Sequence, residues 1–529
     1  KALFFVGAND TLLPGNMGQG GLLTERDREW FQKEKQALSP GAKEKTYIQK
    51  FYLYMNLTKP EEFLHISYSK VSSDGKTLRP AYLVWDLKKL FPKLVVTEEE
   101  ALLMTQRELT PGEGLEFVIR GVRDRYLGVD ESWKELYTWY RQNEGQKVDR
   151  ILDAGFFKKK PDALTGEEAA ELYGEKKQFS VTRMERFSAC AYAHFLTYGL
   201  HLSDRERYEF EAMDLGNIAH QSMERFARKA QEKRMPWPKL EEVQRDAMIE
   251  ESVEESIKDY GNTVLYSTAR NEYMIVRIKQ LIRRSVWALT RQMEKGDFEP
   301  SGYEMNFGSG KIDRIDTCED EDMVYVKVTD YKTGMKSFDI VALYHGLQMQ
   351  LPVYLNAALE LEERRAPGKT VEPAGIFYYR IKDPIVDREK DDHALEEKIL
   401  KELRLDGMIN AKEEVIEHLE HQLSGTSVLN PIGKNKDGSL NRYSKVLPPE
   451  AFAAMLSYTK KKEAQVKRQI YAGEVQANPY ELNGSTGCDY CAYRDICGFD
   501  PRLDGYAYRS LEKYSKEEVI RRMEEEIEN

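Results

Sequence analysis

The sequence runs GKIDRID (residues 310–316) and VKVTDYKTG (residues 326–334) decide the fold of this chain. Apolar and polar side chains alternate over 323–329, and this period of two predicts a β-strand. Residues 318–322 form a polar connection that is short enough to join the two runs as an antiparallel hairpin. The two runs are therefore predicted to lie side by side in one sheet.

Acidic residues and a lysine stand where this hairpin would bring them together. Asp330 and Lys332 share one face of the second strand because they are two residues apart, and Asp313 lies upstream on its neighbour. Carboxylates are hard ligands for Mg²⁺ or Mn²⁺, and a lysine beside them can neutralise charge on a phosphate. The same acid-x-lysine spacing at 175–177 and 396–398 is typical of solvated helix surface. The position at the end of an apolar strand distinguishes Asp330 and Lys332 and indicates a metal-dependent phosphodiesterase.

GKIDRID followed by TDYKTG resembles the nuclease core of the PD-(D/E)XK superfamily, in its RecB-like branch. The resemblance implies an α/β fold with a restriction-endonuclease-like core, in which helices flank a mixed sheet. It also implies that Asp313, Asp330 and Lys332 are catalytic. Gln350 and Tyr354, on a helix predicted from residue 343 to residue 362, match the Gln-x-x-x-Tyr element of this branch, which lies behind the catalytic strands.

The same resemblance implies a Mg²⁺ or Mn²⁺ ion in the active site. Its expected ligands are the side chains of His220, Asp313 and Asp330 and the main-chain carbonyl of Tyr331. His220 ends a matching Gly-x-x-x-His stretch, although a histidine in a helix is otherwise more often structural. Lys332 is expected to position the attacking water and to stabilise the phosphate.

Two further acidic residues are possible supports of this site. Glu224 lies four residues after His220 on a predicted helix, and the alternative is that it only pairs with Arg228 at the surface. Glu304 lies in a predicted strand at 303–307 and has a counterpart among the acidic residues that support RecB-like cores. The alternative for Glu304 is an exposed carboxylate at a strand edge.

The composition is that of a large globular protein with an acidic balance. The chain has 529 residues, of which 41% are hydrophobic and 32% charged, and its net charge is −11. No apolar run approaches the roughly 20 residues of a membrane-spanning helix. The net charge argues against indiscriminate binding to nucleic acid. DNA contacts are therefore expected at basic clusters within 270–291, 434–445 and 460–468, although each alone is more typical of a solvated surface.

Residues 1–160 have the pattern of an α/β domain. Strands are predicted at 2–6 and 63–68, with Thr24 as the N-cap of a helix between them. Their order resembles part of the second motor domain of a superfamily 1 helicase, with Lys59 where such helicases carry an arginine that reaches ATP. Because no Gly-x-x-x-x-Gly-Lys-Ser/Thr loop occurs in the chain, we expect this helicase-like part to be inactive as an ATPase.

The composition turns polar at 161–178, which is typical of a linker between domains. Residues 179–529 are expected to form the nuclease domain. The chain opens without a methionine inside a predicted strand, so we expect it to be the C-terminal part of a longer protein.

Five cysteines without a secretory context indicate a reducing compartment. Cys488, Cys491 and Cys497 form a C-x2-C-x5-C pattern, and Cys190 is the best candidate for a fourth ligand because Cys318 lies in the predicted acidic turn. Four thiolates suit zinc or an iron–sulfur cluster. One cysteine before the nuclease core and three after it is similar to the 4Fe–4S site of helicase-nuclease B subunits, and this likeness implies such a cluster.

The order of all these elements resembles the C-terminal part of the AddB family of helicase-nuclease subunits. The resemblance implies a Mg²⁺-dependent DNA exonuclease that cuts the strand ending 5′, in a heterodimer with the AddA helicase-nuclease subunit. It also implies the processing of double-strand breaks for homologous recombination in the bacterial cytoplasm. Two alternatives stay open, namely a catalytically silent DNA-binding scaffold for a partner helicase and an iron–sulfur redox protein.

Overall fold

The two runs that were predicted to pair form neighbouring antiparallel strands of a six-stranded sheet. The computed structural model describes residues 1–13, 24–34, 38–72, 75–98, 110–124, 132–156, 162–174, 179–203, 205, 209–260, 263–308, 310–389 and 391–528. The chain divides into two compact units, Lys1–Gly155 and Phe156–Asn529, and the six-stranded sheet belongs to the second.

The first unit contains a parallel pair of strands, β1 (Ala2–Phe5) and β2 (Phe63–Ile66), at the two places where strands were predicted. Thr24 caps the first helix as predicted, because its hydroxyl accepts a hydrogen bond of 3.3 Å from the backbone N–H of Asp27. The described helices of this unit are α1 (Glu25–Lys33), α2 (Ala42–Leu57), α3 (Tyr82–Leu90), α4 (Pro111–Asp124), α5 (Trp133–Asn143) and α6 (Gly145–Gly155).

The six-stranded sheet of the second unit is mixed. Its strands, in spatial order, are β3 (Glu299–Phe307), β4 (Gly310–Glu319), β5 (Met323–Lys332), β6 (Thr370–Arg380), β7 (Asp406–Asn410) and β8 (Val446–Leu447). β5 pairs with β6 and β7 pairs with β8 in parallel, while the other neighbours are antiparallel. A small sheet near the C-terminus contains β9 (Tyr480–Leu482), β10 (Ser485–Thr486) and β11 (Arg509–Ser510).

Helices cover both faces of the six-stranded sheet. They are α7 (Gly166–Tyr173), α8 (Val181–Ala189), α9 (Ala191–His194), α10 (Ala212–Glu232), α11 (Glu242–Tyr260), α12 (Ala269–Met293), α13 (Ile340–Tyr344), α14 (Gln350–Arg365), α15 (Asp392–Glu402), α16 (Glu413–Leu419), α17 (Pro449–Tyr471), α18 (Arg494–Cys497) and α19 (Lys516–Glu528). A π-helical turn (Phe195–Gly199) continues α9, and two 3₁₀ turns lie at Trp237–Lys239 and Thr263–Tyr266. The mixed sheet between helices confirms the predicted fold class.

The valine and tyrosine side chains of β5 enter two different cores. Val326 and Val328 pack in the core on the side of α8, α14 and α17, and Tyr325 and Tyr331 pack in the core on the side of α10 and α12. The alternation that predicted the strand therefore separates two buried faces. Lys327 is buried among the residues of the second face, and its charge is matched by a carboxylate, as described below.

The alternation of side chains breaks in β3 and β4 at Glu304 and Asp313. Ile312 and Ile315 enter the same core although they are three residues apart, whereas a regular strand would send them to opposite faces. Glu304 has a φ of 48°, in the left-handed region that a non-glycine residue rarely adopts. The register of β3 and β4 is unchanged across this break, so the two residues stay opposite each other.

The predicted linker contains a packed helix. Thr165 and Glu168 form a capping box at the start of α7, with a hydrogen bond of 3.2 Å from the Glu168 N–H to the Thr165 hydroxyl. Ala169 and Tyr173 are buried in the core of the second unit. The polar composition that indicated a linker thus belongs in part to a helix cap, while the domain bounds themselves stay a prediction.

Two local predictions were wrong. Cys318 does not lie in the turn, because β4 continues to Glu319 and pairs Cys318 with Tyr325 of β5. The helix predicted from residue 343 is divided into α13 and α14, and Gly346 in the break has a φ of 78°. Gln350 is consequently the first residue of α14, and its side chain reaches Asp330 near the end of β5.

None of the helices in the described parts of the chain combines the length and the hydropathy that a membrane crossing needs.

Candidate functional site

Three acidic side chains from neighbouring strands meet where the strands break. The registers of β3 with β4 and of β4 with β5 set Asp313 between Glu304 and Asp330. These residues are 9%, 8% and 2% exposed for Glu304, Asp313 and Asp330. Burial and then the charge of Asp313 raise the pKa of Glu304, and the same two causes raise the pKa of Asp330 to about 7. The carboxylates thus repel one another while they are largely buried.

His220 reaches this group from α10. Its Nδ1 lies 3.3 Å from Oδ2 of Asp313, and the same oxygen accepts a hydrogen bond of 2.7 Å from the backbone N–H of Tyr331. Burial lowers the pKa of His220, but the hydrogen bond and charge of Asp313 outweigh burial and leave the pKa raised. Ile218, Ala219, Ser222 and Phe226 form a buried stripe on α10, and this packing holds the helix that carries His220 against the strands.

The donor set fits a divalent cation. One ligand atom each from His220, Glu304 and Asp313 lies within 4.8 Å of the others. An imidazole nitrogen beside carboxylate oxygens suits Mg²⁺ or Mn²⁺, and a cation would relieve the repulsion that raises the pKa of Asp330. Two of the predicted ligands, His220 and Asp313, therefore lie together with Glu304, and Asp330 lies close enough to Asp313 for that charge to raise its pKa, after burial. Tyr331 contributes its N–H, whereas the role of its carbonyl stays a prediction.

Both oxygens of Asp330 are held by neighbouring side chains. Nζ of Lys332 contacts Oδ2 of Asp330, and Nε2 of Gln350 donates a hydrogen bond of 2.9 Å to Oδ1. The same amide donates 3.0 Å to the hydroxyl of Tyr354. The Lys332 ammonium also lies 5.6 Å above the ring of Tyr378. Four of the five residues predicted by resemblance to be catalytic, namely Asp330, Lys332, Gln350 and Tyr354, are thus linked by direct contacts around Asp330.

Glu185 belongs to this set of contacts and was missed in the sequence. It lies on α8, and its Oε1 accepts hydrogen bonds of 2.7 and 3.1 Å from the N–H groups of Met349 and Gln350 at the start of α14. Burial raises the pKa of Glu185, while Lys336 and Lys332 act in the opposite direction. The available signal was a single acidic residue between the buried Met184 and Phe187 of α8.

A cleft of about 600 Å³ opens between α10 and the strand ends. His220, Glu224, Glu304, Lys311 and Asp313 are among its lining residues. Glu224 pairs with Arg228 at 2.8 Å, as its surface alternative required, yet it also faces the cleft. Lys311 forms an ion pair with Glu304. The alternative of an exposed carboxylate at Glu304 is wrong, because this side chain is buried.

The four cysteines predicted to bind a cluster lie close together. Cys190 ends α8 and belongs to a small apolar group with Tyr493, against which Cys491 packs. Burial first, and then the charges of Cys190, Cys491 and Cys497, raise the pKa of Cys488. The hydroxyl of Tyr493 donates 2.7 Å to the carbonyl of Leu202, which ties the C-terminal segment to the region that follows α9.

The basic cluster on α12 is paired with acidic neighbours, whereas, among the described residues, salt bridges are found for one residue each of 434–445 and 460–468, Lys445 and Lys460. On α12, Lys279 pairs with Glu254 at 2.7 Å and Arg283 with Glu250 at 2.5 Å. In the last cluster, Lys460 pairs with Glu360 at 3.0 Å. These pairs favour the interpretation of ordinary solvated surfaces.

Comparison with known proteins identifies the family. Residues 178–498 match the PD-(D/E)XK nuclease superfamily. The chain belongs to this superfamily. The match covers the sheet, the acidic site and the four clustered cysteines, so the predicted superfamily is confirmed.

Two curated relatives match almost the whole chain. The B subunit of the ATP-dependent helicase/deoxyribonuclease of Lachnoclostridium phytofermentans is 37% identical over 539 residues, which cover 98% of this chain and 47% of that protein. The protein of the same name from Alkaliphilus oremlandii is 32% identical over 559 residues, which cover 100% of this chain and 49% of that protein. The chain spans about half the length of these curated relatives. The predicted resemblance to helicase-nuclease B subunits is thereby confirmed.

Proposed function

We propose that this chain is a metal-dependent deoxyribonuclease that hydrolyses phosphodiester bonds in the cleft beside α10. The observation that carries the proposal is the convergence of Asp313, Asp330 and Lys332. The names of the relatives support DNA as the substrate, since they are deoxyribonuclease subunits. The superfamily match supports the same chemistry.

The contacts of each side chain indicate its role in the proposed reaction. His220, Glu304, Asp313 and Asp330 would hold Mg²⁺ or Mn²⁺, which when bound supplies charge neutralisation and acidifies water. Lys332 carries a positive charge at the edge of the group, where it can orient a water and stabilise charge developing on the phosphate.

Gln350 and Tyr354 act on the geometry of this group. The amide of Gln350 fixes one oxygen of Asp330 and leaves the other to Lys332. Tyr354 shares that amide, and burial raises its pKa, so its hydroxyl stays neutral. Glu224 would adjust the charge at the mouth of the cleft.

The names of the relatives as B subunits of a helicase/deoxyribonuclease support a partner subunit for this chain. We propose that this partner is an AddA subunit and that the heterodimer processes double-strand breaks for homologous recombination, as the resemblance implied. Cleavage of the strand that ends 5′ belongs to the same proposal. We further propose that residues 1–160 hydrolyse no ATP, because the chain lacks the phosphate-binding loop.

We also propose that Cys190, Cys488, Cys491 and Cys497 hold a 4Fe–4S cluster. Cys190 and Cys491 meet in one small apolar group with Tyr493. One cysteine before the nuclease core and three after it, the order that is similar to the 4Fe–4S site of helicase-nuclease B subunits, supports the cluster over zinc.

The test is Asp330→Ala in the protein assembled with its partner subunit. Removal of one oxygen ligand should abolish cleavage of DNA ends in Mg²⁺, while DNA binding and the visible absorption of the cluster stay. Glu396→Ala is the matched control, because Glu396 has the same acid-x-lysine spacing but pairs with Arg291 at 2.9 Å at the surface. Cleavage that persists in Asp330→Ala would rule out this site, and a wild type without Mg²⁺-dependent cleavage would favour the silent scaffold.

A further inference from the structure

A second group of potential metal ligands lies at the other end of β4, outside the cleft. Asp297 lies between α12 and β3, and Cys318 lies near the end of β4. His418 lies in the last turn of α16, and His421 follows two residues after its end. Cys318 is five residues from Asp313 along one strand, which separates the two sites by about 17 Å. The second group therefore shares no residue with the nuclease site.

The side chains converge on Asp297. Its Oδ2 lies 2.8 Å from Nδ1 of His418, and its Oδ1 lies 2.9 Å from Nε2 of His421. One ligand atom each from Asp297, Cys318 and His418 lies within 4.8 Å of the others. Cys318 is 5% exposed, so its thiol meets the group from the protein interior.

The backbone fixes this convergence before any ligand binds. The N–H of Asp297 donates 2.8 Å to the carbonyl of His418, and the N–H of His421 donates 2.8 Å to the carbonyl of Lys295. A Cβ at Gly296 would stand 2.4 Å from the carbonyl of His418, so only glycine permits this approach. Two segments about 120 residues apart are thus locked together at the group.

The ligand types indicate the metal. A thiol, an imidazole and a carboxylate form a set of borderline softness that suits Zn²⁺ and differs from the oxygen-rich set preferred by Mg²⁺. We propose that Asp297, Cys318 and His418 form a structural zinc site that joins the turn before β3 to α16, with His421 orienting the Asp297 carboxylate beside it. This proposal does not depend on the nuclease activity.

The alternative is a hydrogen-bonded clamp without metal. Such a clamp accounts for the position of Asp297 between two imidazoles. Asp320 adds a contact of 3.3 Å to Nε2 of His418. The clamp gives no role to the thiol of Cys318, however. A shared cation gives that thiol a role, because its sulfur lies within 4.8 Å of ligand atoms of Asp297 and His418.

The test is metal analysis of the anaerobically purified protein, with iron measured in parallel so that the four-cysteine site is known to be filled. The wild type should retain about one zinc per chain after desalting, and Cys318→Ala should lose it without losing iron. After chelation and refilling with Co²⁺, the wild type should show a thiolate-to-cobalt charge-transfer band that Cys318→Ala lacks.

Two further variants keep the result interpretable if Cys318→Ala fails to fold. His421→Gln changes a half-exposed side chain and should weaken zinc binding by about 100-fold. His393→Gln, an exposed histidine on α15, should leave zinc unchanged. A wild type that holds no zinc would overturn the proposal. A zinc content and a cobalt spectrum that are unchanged in Cys318→Ala and His421→Gln would also overturn it and leave the clamp as the explanation.

Discussion

Glu185 offers the sharpest test of how the site is held in place. Its carboxylate accepts two backbone hydrogen bonds at the start of α14, and the second comes from Gln350, whose side chain binds Asp330. We predict that Glu185→Ala displaces Gln350 and slows DNA cleavage without touching any proposed metal ligand. Glu185 acts through Gln350 and is therefore a positioning residue.

The magnitude follows from the contacts. Loss of the carboxylate leaves two N–H groups at a buried helix start without an acceptor, and each such group costs about 1–3 kcal/mol. Removing a buried charge offsets part of this cost, so we expect the second unit to lose about 2 kcal/mol of stability. A shift of Gln350 by about 1 Å would slow cleavage by about 100-fold. Glu185→Gln keeps an acceptor oxygen and should lose about 10-fold or less.

The assay is single-turnover cleavage of a duplex end in saturating Mg²⁺, together with the affinity for DNA. A positioning role predicts a lower cleavage rate at unchanged DNA affinity, with Glu185→Gln between wild type and Glu185→Ala. Glu360→Ala, an exposed carboxylate on the same helix α14, is the matched control. If folded Glu185→Ala cleaves at the wild-type rate, Glu185 does not position Asp330 through Gln350 for catalysis.

Asp316→Asn should lower the free energy of unfolding by about 3–5 kcal/mol in urea titrations, because Arg314 and Lys327 are buried and share that carboxylate at 2.6 and 3.4 Å. An unchanged urea midpoint would contradict this. If the proposed cluster is present, the wild type should be brown, and Cys491→Ser should remove this visible absorption and lower the melting temperature; a colourless wild type with four-coordinate zinc would count against the cluster. Burial lowers the pKa of His194 to about 3, so between pH 3 and 6.5 the unfolded chain binds a proton that the folded chain lacks. The free energy of unfolding should therefore decrease as the pH is lowered through this window, by about 2 kcal/mol at pH 5. This loss should be smaller in His194→Gln. Equal pH dependence in both proteins would refute that assignment.

The sequence predicted the residues whose relation is set by a single hairpin. Asp313, Asp330 and Lys332 could be brought together because a period of two and a short connection fix the register of two adjacent strands. Glu185 could not be found in this way. Its contact with Gln350 spans 165 residues. The sequence of α8 alone does not indicate which helix start its carboxylate will contact.

The errors near Cys318 have a related cause. Asp316 and Lys327 are charged, and a charged residue in a strand ordinarily indicates a solvated face or an approaching turn. In this sheet helices cover both faces, and the charges are buried because they pair with each other at 3.4 Å. Such pairing between strands is invisible to periodicity. The end of β4 was predicted too early because the acidic run at 319–322 indicates a turn, although β4 continues through Cys318 to Glu319.

The electrostatics of the cleft also weigh against a silent scaffold. Glu304, Asp313 and Asp330 are each less than 10% exposed, and mutual repulsion with burial raises the pKa of Asp330 to about 7. Buried carboxylates that repel one another destabilise a fold, and apolar residues of similar volume would remove that cost. A protein that only held DNA or a partner would gain stability by losing these acids. Their presence beside His220 is explained when a divalent cation binds there, because the cation converts the repulsion into ligand binding.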